Sequence, residues 1–273
     1  MITLMWLAIG TAALLAVAGI VVIVIVEAGA MTLVLAAHRQ IGYGLGRAAG
    51  GTTVAYSAKI INLFGSALVG YYPLSEIVGT TIFDASGNGR NGGLSGSYTL
   101  GADGIGDGGT SIEFNNTGQA AIYSGVRVGS PWDIFAEGSL LSWMRVVNSA
   151  VWSDGAMRSV ANVYSDYSVS QGHKLGKSND TNNIRYLLGP PNSMQYSVGN
   201  SVAWHHIAVA WSQSANEASL YWDGVRANTK AWTSLAATYT QVVVSSDFIG
   251  CLAHVAYLNR AATGAEILTA STL

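Results

Sequence analysis

Charge is scarce in this chain. Lysine and arginine number 13 and aspartate and glutamate 15 among 273 residues, 10% in all against 50% hydrophobic, where an average soluble domain is roughly 25% charged. The mean hydropathy is +0.33, so part of the molecule avoids water. The formal net charge is −2 and no Lys/Arg cluster occurs, which removes the electrostatic footprint that nucleic acid requires. One cysteine, Cys251, excludes an intramolecular disulfide. Its neighbours Ile249 and Leu252 make it read as a plain buried thiol. Catalytic signatures are missing too: there is no G-x-S-x-G elbow, no H-E-x-x-H pair and no P-loop. GIGDGG at residues 104–109 meets the G-x-G-x-x-G spacing, but no long helical pattern follows it, so its glycines read as turn residues.

What the chain does have is an apolar opening. No charged residue occurs from Met1 to Val26, and LLAVAGIVVIVIV reads as a helix over residues 1–30, long enough to span a hydrocarbon layer of ~30 Å at ~1.5 Å per residue. A cleaved signal peptide fits less well, because no Lys or Arg precedes the apolar core. The first basic residues, Arg39, Arg47 and Lys59, all follow the span, opposite to the bias of an anchor with an exported C-terminal domain. Either the helix sits in a membrane, or it packs against copies of itself in an assembly. Residues 31–68 form a stem rich in small residues, in which Val54, Ala58, Ile61, Phe64 and Leu68 follow helical spacing.

After Gly70 the texture changes to short alternating runs divided by Gly, Asn, Asp and Ser, the pattern of many antiparallel strands. DASGNGRNGG and GADGIGDGG supply turns, since Gly and Asn take positive φ cheaply. In WHHIAVAW, alternation puts His205, Ile207, Val209 and Trp211 on a core face and Trp204, His206, Ala208 and Ala210 on the other. SQSAN is then a loop, ASLYW a second strand and Asp223-Gly224 the next tight turn. The adjacent histidines point to opposite faces and cannot together ligate one metal.

These residues carry a resemblance. WHHIAVAWSQSANEASLYWDGV resembles the central hairpin of laminin-G-like domains of the concanavalin A-like jelly-roll superfamily. GYYPLSEIVGTTIFDASGNGRNGG is similar to that family's first strand and its Asp-x-Ser-Gly-Asn-Gly turn, and FIGCLAHVAYLNRAATGAEI to its closing strand and short terminal helix. The resemblance runs from Val69 to Leu268 and implies an all-β fold for residues 69–273, an antiparallel two-sheet jelly-roll sandwich preceded by the helical stem. Tyr72 and Ser75 stand where many relatives have Trp and Asp. GIGDGGTSIEF and GSLLSWMRV also resemble phage and prophage domains that occur as virion or tail-associated proteins.

The resemblance sets the expectations about ligands. Polysaccharide-cleaving members share a Glu-x-Asp-x-x-Glu strand that puts two carboxylates on one face. Glu76, Glu113, Glu137, Glu217 and Glu266 have no Asp two residues on, so no glycosidase and no enzyme is expected. Members often hold Ca²⁺ through an Asp and loop carbonyls, which nominates Asp84 with Asn88 and Asp103 with Asp107. Trp132, Trp152, Tyr164, Tyr167 and Trp232, in or near loops, are candidates for stacking on sugar rings, with Met194 and Tyr196 as further contact residues. The expected partners are other copies of the chain, met through the stem, together with cell-surface glycans and a membrane. The expected location is a virion or a cell surface.

Overall fold

The computed structural model describes residues 7–9, 12–17, 20–27, 30–37, 56–115, 125–128, 136–164, 172–187, 193–232, 241–245 and 247–273. The chain divides into two compact units, Met1–Arg47 and Ala48–Leu273.

The first unit corrects the expected helix. Residues 1–30 hold β1 (Leu7–Ile9), β2 (Ala12–Val17) and β3 (Ile20–Glu27), and β4 (Ala30–Ala37) follows, in an antiparallel sheet of order β1-β2-β3-β4. No helix among the described residues is long and apolar enough to cross a membrane. The reason is local. IVVIVIV is β-branched at every position, a side-chain type stiff in helices and well suited to a pleated surface. An apolar run read by hydropathy alone does not distinguish the two. The register is continuous, from Val17↔Ile20 to Ala12↔Ile25 and from Ile20↔Ala37 to Glu27↔Ala30.

The second unit opens with α1 (Tyr56–Phe64) and continues through β5 (Leu68–Tyr72), β6 (Thr81–Ile82), β7 (Gly92–Ser95), β8 (Tyr98–Asp103), β9 (Thr110–Asn115) and β10 (Gly125–Val128). Next come β11 (Glu137–Val146), β12 (Arg158–Tyr164), β13 (Gly172–Lys177), β14 (Asn183–Leu187) and β15 (Ser193–Ser197). The chain closes with β16 (His205–Ser212), β17 (Glu217–Trp222), β18 (Val225–Lys230), β19 (Gln241–Val244), β20 (Ile249–Leu258) and α2 (Gly264–Ala270). Two antiparallel sheets result. One has the order β15-β14-β13-β12-β19-β10-β7-β6, and the other β18-β17-β16-β11-β20-β9-β8, with β5 also paired to β20.

The core lies between the sheets. Leu140, Met144, Ile207, Val209, Trp211, Leu220 and Leu252 of one sheet share a cluster with Val160, Val163, Leu175, Ile184, Tyr186, Val242 and Val244 of the other. The β16 and β17 alternation matches the expected core face. The second face is not solvated, however: Ala208, Ala210, Tyr221, Ala253 and Ala256 form a second buried cluster with Tyr56, Ile60 and Phe64 of α1 and Ile267 and Ala270 of α2. Alanine on that face leaves room for helices to lie close, so β11, β16 and β20 are buried on both faces. The helix expected around residues 54–68 is present as α1, but its buried stripe runs through Tyr56, Ile60 and Phe64, while Ile61 is exposed and Leu68 begins β5. At the other end of the unit, Thr263 and Glu266 form a reciprocal capping box that starts α2.

Candidate functional site

The central hairpin separates its two histidines as alternation requires. His206 is buried against Trp143, and burial pushes its imidazole down to about 3, so it stays neutral. His205 lies on the other face, stacked on Trp222 at 4.5 Å. Its Nδ1 is 2.8 Å from Asp223 Oδ2 and its Nε2 is 2.8 Å from Ser201 Oγ. Asp223 and Gly224 have φ of 48° and 79°, the pair of positive values of a type I′ hairpin turn. Asp223 Oδ1 accepts from the His206 N–H at 2.9 Å, and the Asp223 N–H donates to the His206 carbonyl at 2.8 Å. The turn therefore fixes the carboxylate before His205 meets it.

The Ca²⁺ candidates have other partners. Asp84 accepts from the N–H groups of Tyr71 (3.0 Å), Ser86 (2.9 Å) and Arg90 (3.0 Å), so its carboxylate organises the 84–93 turn. Asn88 Nδ2 donates to the Leu68 carbonyl at 2.8 Å and to Ser86 Oγ at 3.0 Å. Asp103 ends β8 and its carbonyl accepts from Ser111 Oγ. Asp107 Oδ1 accepts from the Gly109 N–H and Oδ2 faces His254 Nε2, both at 3.0 Å. Among the described residues no group of three His, Cys, Asp or Glu side chains is placed to hold a metal ion.

Two of the aromatic candidates are corrected. Trp152 and Trp232 are 1% and 2% exposed and belong to the sandwich core, so neither ring offers a face to a sugar. Nearness to a loop misplaces them because each follows a strand closely and turns inward; Trp152 is further tied by its Nε1–H, which donates to the Ser201 carbonyl at 2.7 Å. Met194 is buried as well, while Tyr196 is exposed. Tyr164 ends β12, with its side chain outside the described residues, and Trp132 and Tyr167 lie outside them altogether. The register nevertheless brings the ends of six strands together. Val128 of β10 pairs with Val242, Tyr164 with Gln241 and Gly172, Lys174 with Leu187, and Leu187 with Ser193. One end of that sheet thus gathers the strand termini that flank residues 129–135, 165–171, 188–192 and 233–240.

A second polar network escaped sequence reasoning. Between the pairs Leu141↔Ala256 and Trp143↔Ala253, β11 advances two residues and β20 three, so β20 carries a bulge. His254 sits in it at φ 54°, a conformation that costs a non-glycine residue on the order of 1 kcal/mol. The bulge turns His254 toward the helix-covered face, where Nδ1 meets Tyr71 Oη at 2.7 Å and Nε2 meets Asp107, 147 residues away. Burial alone would raise the Asp107 carboxyl, but the hydrogen bond and charge of His254 and the Gly109 N–H outweigh it and lower it. A carboxylate held below its ordinary value adds stability above the unfolded-state value near pH 4, and that stability is lost as pH falls through the folded value. Asp107→Asn is therefore expected to cost about 2 kcal/mol at neutral pH and to flatten the loss of stability between pH 5 and 3, read by urea titration across that range. An unchanged slope would remove Asp107 from the acid response. No local signal marks this contact, because its partners meet only through the β8–β9 connection and the bulge.

No protein-family model matches the chain, and no curated protein is similar to it at the level of sequence. Solved structures are. The chain is similar to the binding domain of botulinum neurotoxin serotype D, at TM-score 0.59 and 12% identity over 75% of this chain and 51% of that one. The sandwich is a jelly roll. It is also similar to the serotype D ligand binding domain in complex with N-acetylneuraminic acid, at TM-score 0.60, 12% identity and coverage of 78% and 52%. A third similar structure is the binding domain of botulinum neurotoxin DC in complex with rat synaptotagmin II, at TM-score 0.58, 10% identity and coverage of 75% and 51%. The chain spans about half the length of these structures. At this identity the likeness is one of fold alone.

Proposed function

We propose that the jelly roll is a carbohydrate-binding domain of the laminin-G-like, phage-associated type, displayed on a virion, tail or surface filament by an N-terminal sheet that associates with its own copies. The observation that carries the binding half is the jelly-roll frame it shares with receptor-binding domains, one of them solved with a sialic acid. Supporting it, the strand ends beside Trp132, Tyr164 and Tyr167 converge on one end of a sheet. Aromatic side chains there would stack on the apolar face of a sugar ring. Cleavage of the glycan is not part of this reading. Glu76, Glu137, Glu217 and Glu266 accept hydrogen bonds from the Phe83 N–H, Ser212, Ser219 and Arg260 respectively.

Many copies on one particle let a weak site work through avidity. The test is a glycan array, with sialylated and neutral sugars, probed with residues 48–273 displayed multivalently. Binding is expected, and Trp132→Ala or Tyr167→Ala is expected to weaken it about fivefold, one stacking contact of roughly 1 kcal/mol, without changing the melting temperature. Silence across the array in the multivalent format would sink the carbohydrate reading.

A further inference from the structure

We propose that Ser201, His205 and Asp223 form a second functional site, a serine nucleophile with its base, that hydrolyses small carboxylic esters. The order of contacts is the reason. Asp223 Oδ2 lies 2.8 Å from His205 Nδ1, and His205 Nε2 lies 2.8 Å from Ser201 Oγ. The Nδ1–H donated to the carboxylate leaves Nε2 as an acceptor, and the Ser201 hydroxyl is the donor that fills it. This is the connectivity that activates a serine, recognised by geometry and not by sequence position.

Each member is held by something else. The hairpin turn and the His206 backbone fix Asp223, Trp222 fixes the His205 ring, and Trp152 fixes the Ser201 carbonyl. Side chains so anchored need no Ser–His contact to keep the loop in place. The site is also open: the His205 and Asp223 side chains are 19% and 44% exposed. Val202, next to Ser201 in the chain, and Val225, two residues after Asp223, are exposed apolar side chains available to an acyl group.

The chemistry balances without a cofactor. Ser201 Oγ attacks the ester carbonyl while its proton moves to His205 Nε2, and the Ala203 N–H, which donates to Oγ at 3.2 Å, helps to hold that oxygen's orientation. Collapse breaks the bond to the alkoxide, which takes the proton from Nε2 and leaves an acyl-Ser201. Water then attacks the acyl carbon, gives its proton to Nε2, and the second collapse releases the carboxylic acid and returns the proton to Oγ. Asp223 is a positioning residue that keeps the imidazole in this tautomer.

The test uses the full chain, with p-nitrophenyl acetate as substrate and a fluorophosphonate as covalent probe. The phosphonate is expected on Ser201 by peptide mapping, with ester turnover about 10²-fold above Ser201→Ala and His205→Gln. Circular dichroism confirms that the variants are folded. A second readout separates activation from scaffolding: because Cys251 is buried, iodoacetamide should reach only position 201 of the Ser201→Cys variant, about tenfold faster than when His205→Gln is added. Absence of label on folded wild-type chain, label on another residue, or equal alkylation rates would each overturn the proposal. Ester turnover is read without any glycan, so its failure and the failure of sugar binding are distinguishable.

Discussion

Trp211→Ala is expected to lower the stability of the jelly roll by about 4 kcal/mol, the range for deleting a large buried aromatic, and its melting temperature by about 10 °C for a unit of this size. Trp211 is fully buried on the core face of β16. Its indole stacks at 4.0 Å on His173, which belongs to β13 of the opposite sheet, so it bridges the two layers. Burial pushes the His173 imidazole down to about 3, which makes it a neutral aromatic neighbour at ordinary pH. Behind the indole lies Gly138, where an added Cβ would stand 2.3 Å from Trp211 Cζ2. Trp211 Nε1 has no hydrogen-bond partner among the described residues, so the loss is one of packing alone. Tyr196→Ala, at an exposed position, should change stability by less than about 0.5 kcal/mol. Thermal unfolding of both variants beside the parent decides it, and a shift of under about 2 °C for Trp211→Ala would contradict a core bridge.

Removal of residues 1–47 is expected to turn a large, dilution-resistant assembly into a soluble monomer. The first unit supplies the reason. Its strands read LAI, AALLAV, IVVIVIVE and AMTLVLAA, and Glu27 is the single charged residue among them. Strands β1 and β4 also stand at the two edges of the sheet, where open backbone groups invite pairing with another chain. The shortened chain has to begin near Ala48, the start of the second compact unit. Beginning at Val69 would strip Tyr56, Ile60 and Phe64 from the outer cluster and leave its alanine-lined face in water. Size-exclusion chromatography with light scattering, and negative-stain microscopy of the full chain, read the outcome. Ordered filaments, rings or particles from the full chain alone support self-assembly. Single copies in detergent micelles would replace it with a lipid-covered anchor.

Most of the jelly roll was legible in the sequence because the signals behind it are local. Alternation in WHHIAVAW and ASLYW identified two strands and their core face, and Asp223-Gly224 identified the turn between β17 and β18. The opposite orientation of His205 and His206 follows from the same period of two. Where a reading depended on hydropathy without period, it failed: the uncharged opening became strands, since β-branched content rather than apolar length decided the conformation. Ile61 was misplaced for a related reason, as which stripe of α1 is buried depends on the sheet it covers.

The candidate sites divide in the same way. Sequence named Asp84, Asn88 and Asp107 as acids and amides in glycine-rich turns, and it named Trp152 and Trp232 as aromatics near loops. Whether such a side chain binds a ligand, wraps a backbone or enters the core is set by partners far along the chain, and only the tertiary structure supplies those. It gave Asp107 to His254 across 147 residues, and it brought Ser201 and Asp223 to the two nitrogens of His205. By itself the sequence determined where strands and turns fall and which face of each is apolar, because those follow from short-range periodicity and backbone preference. The tertiary structure decided that both faces of the β16 sheet are covered, which polar groups meet, and which aromatics remain at the surface, because each is a contact between segments that no local pattern encodes.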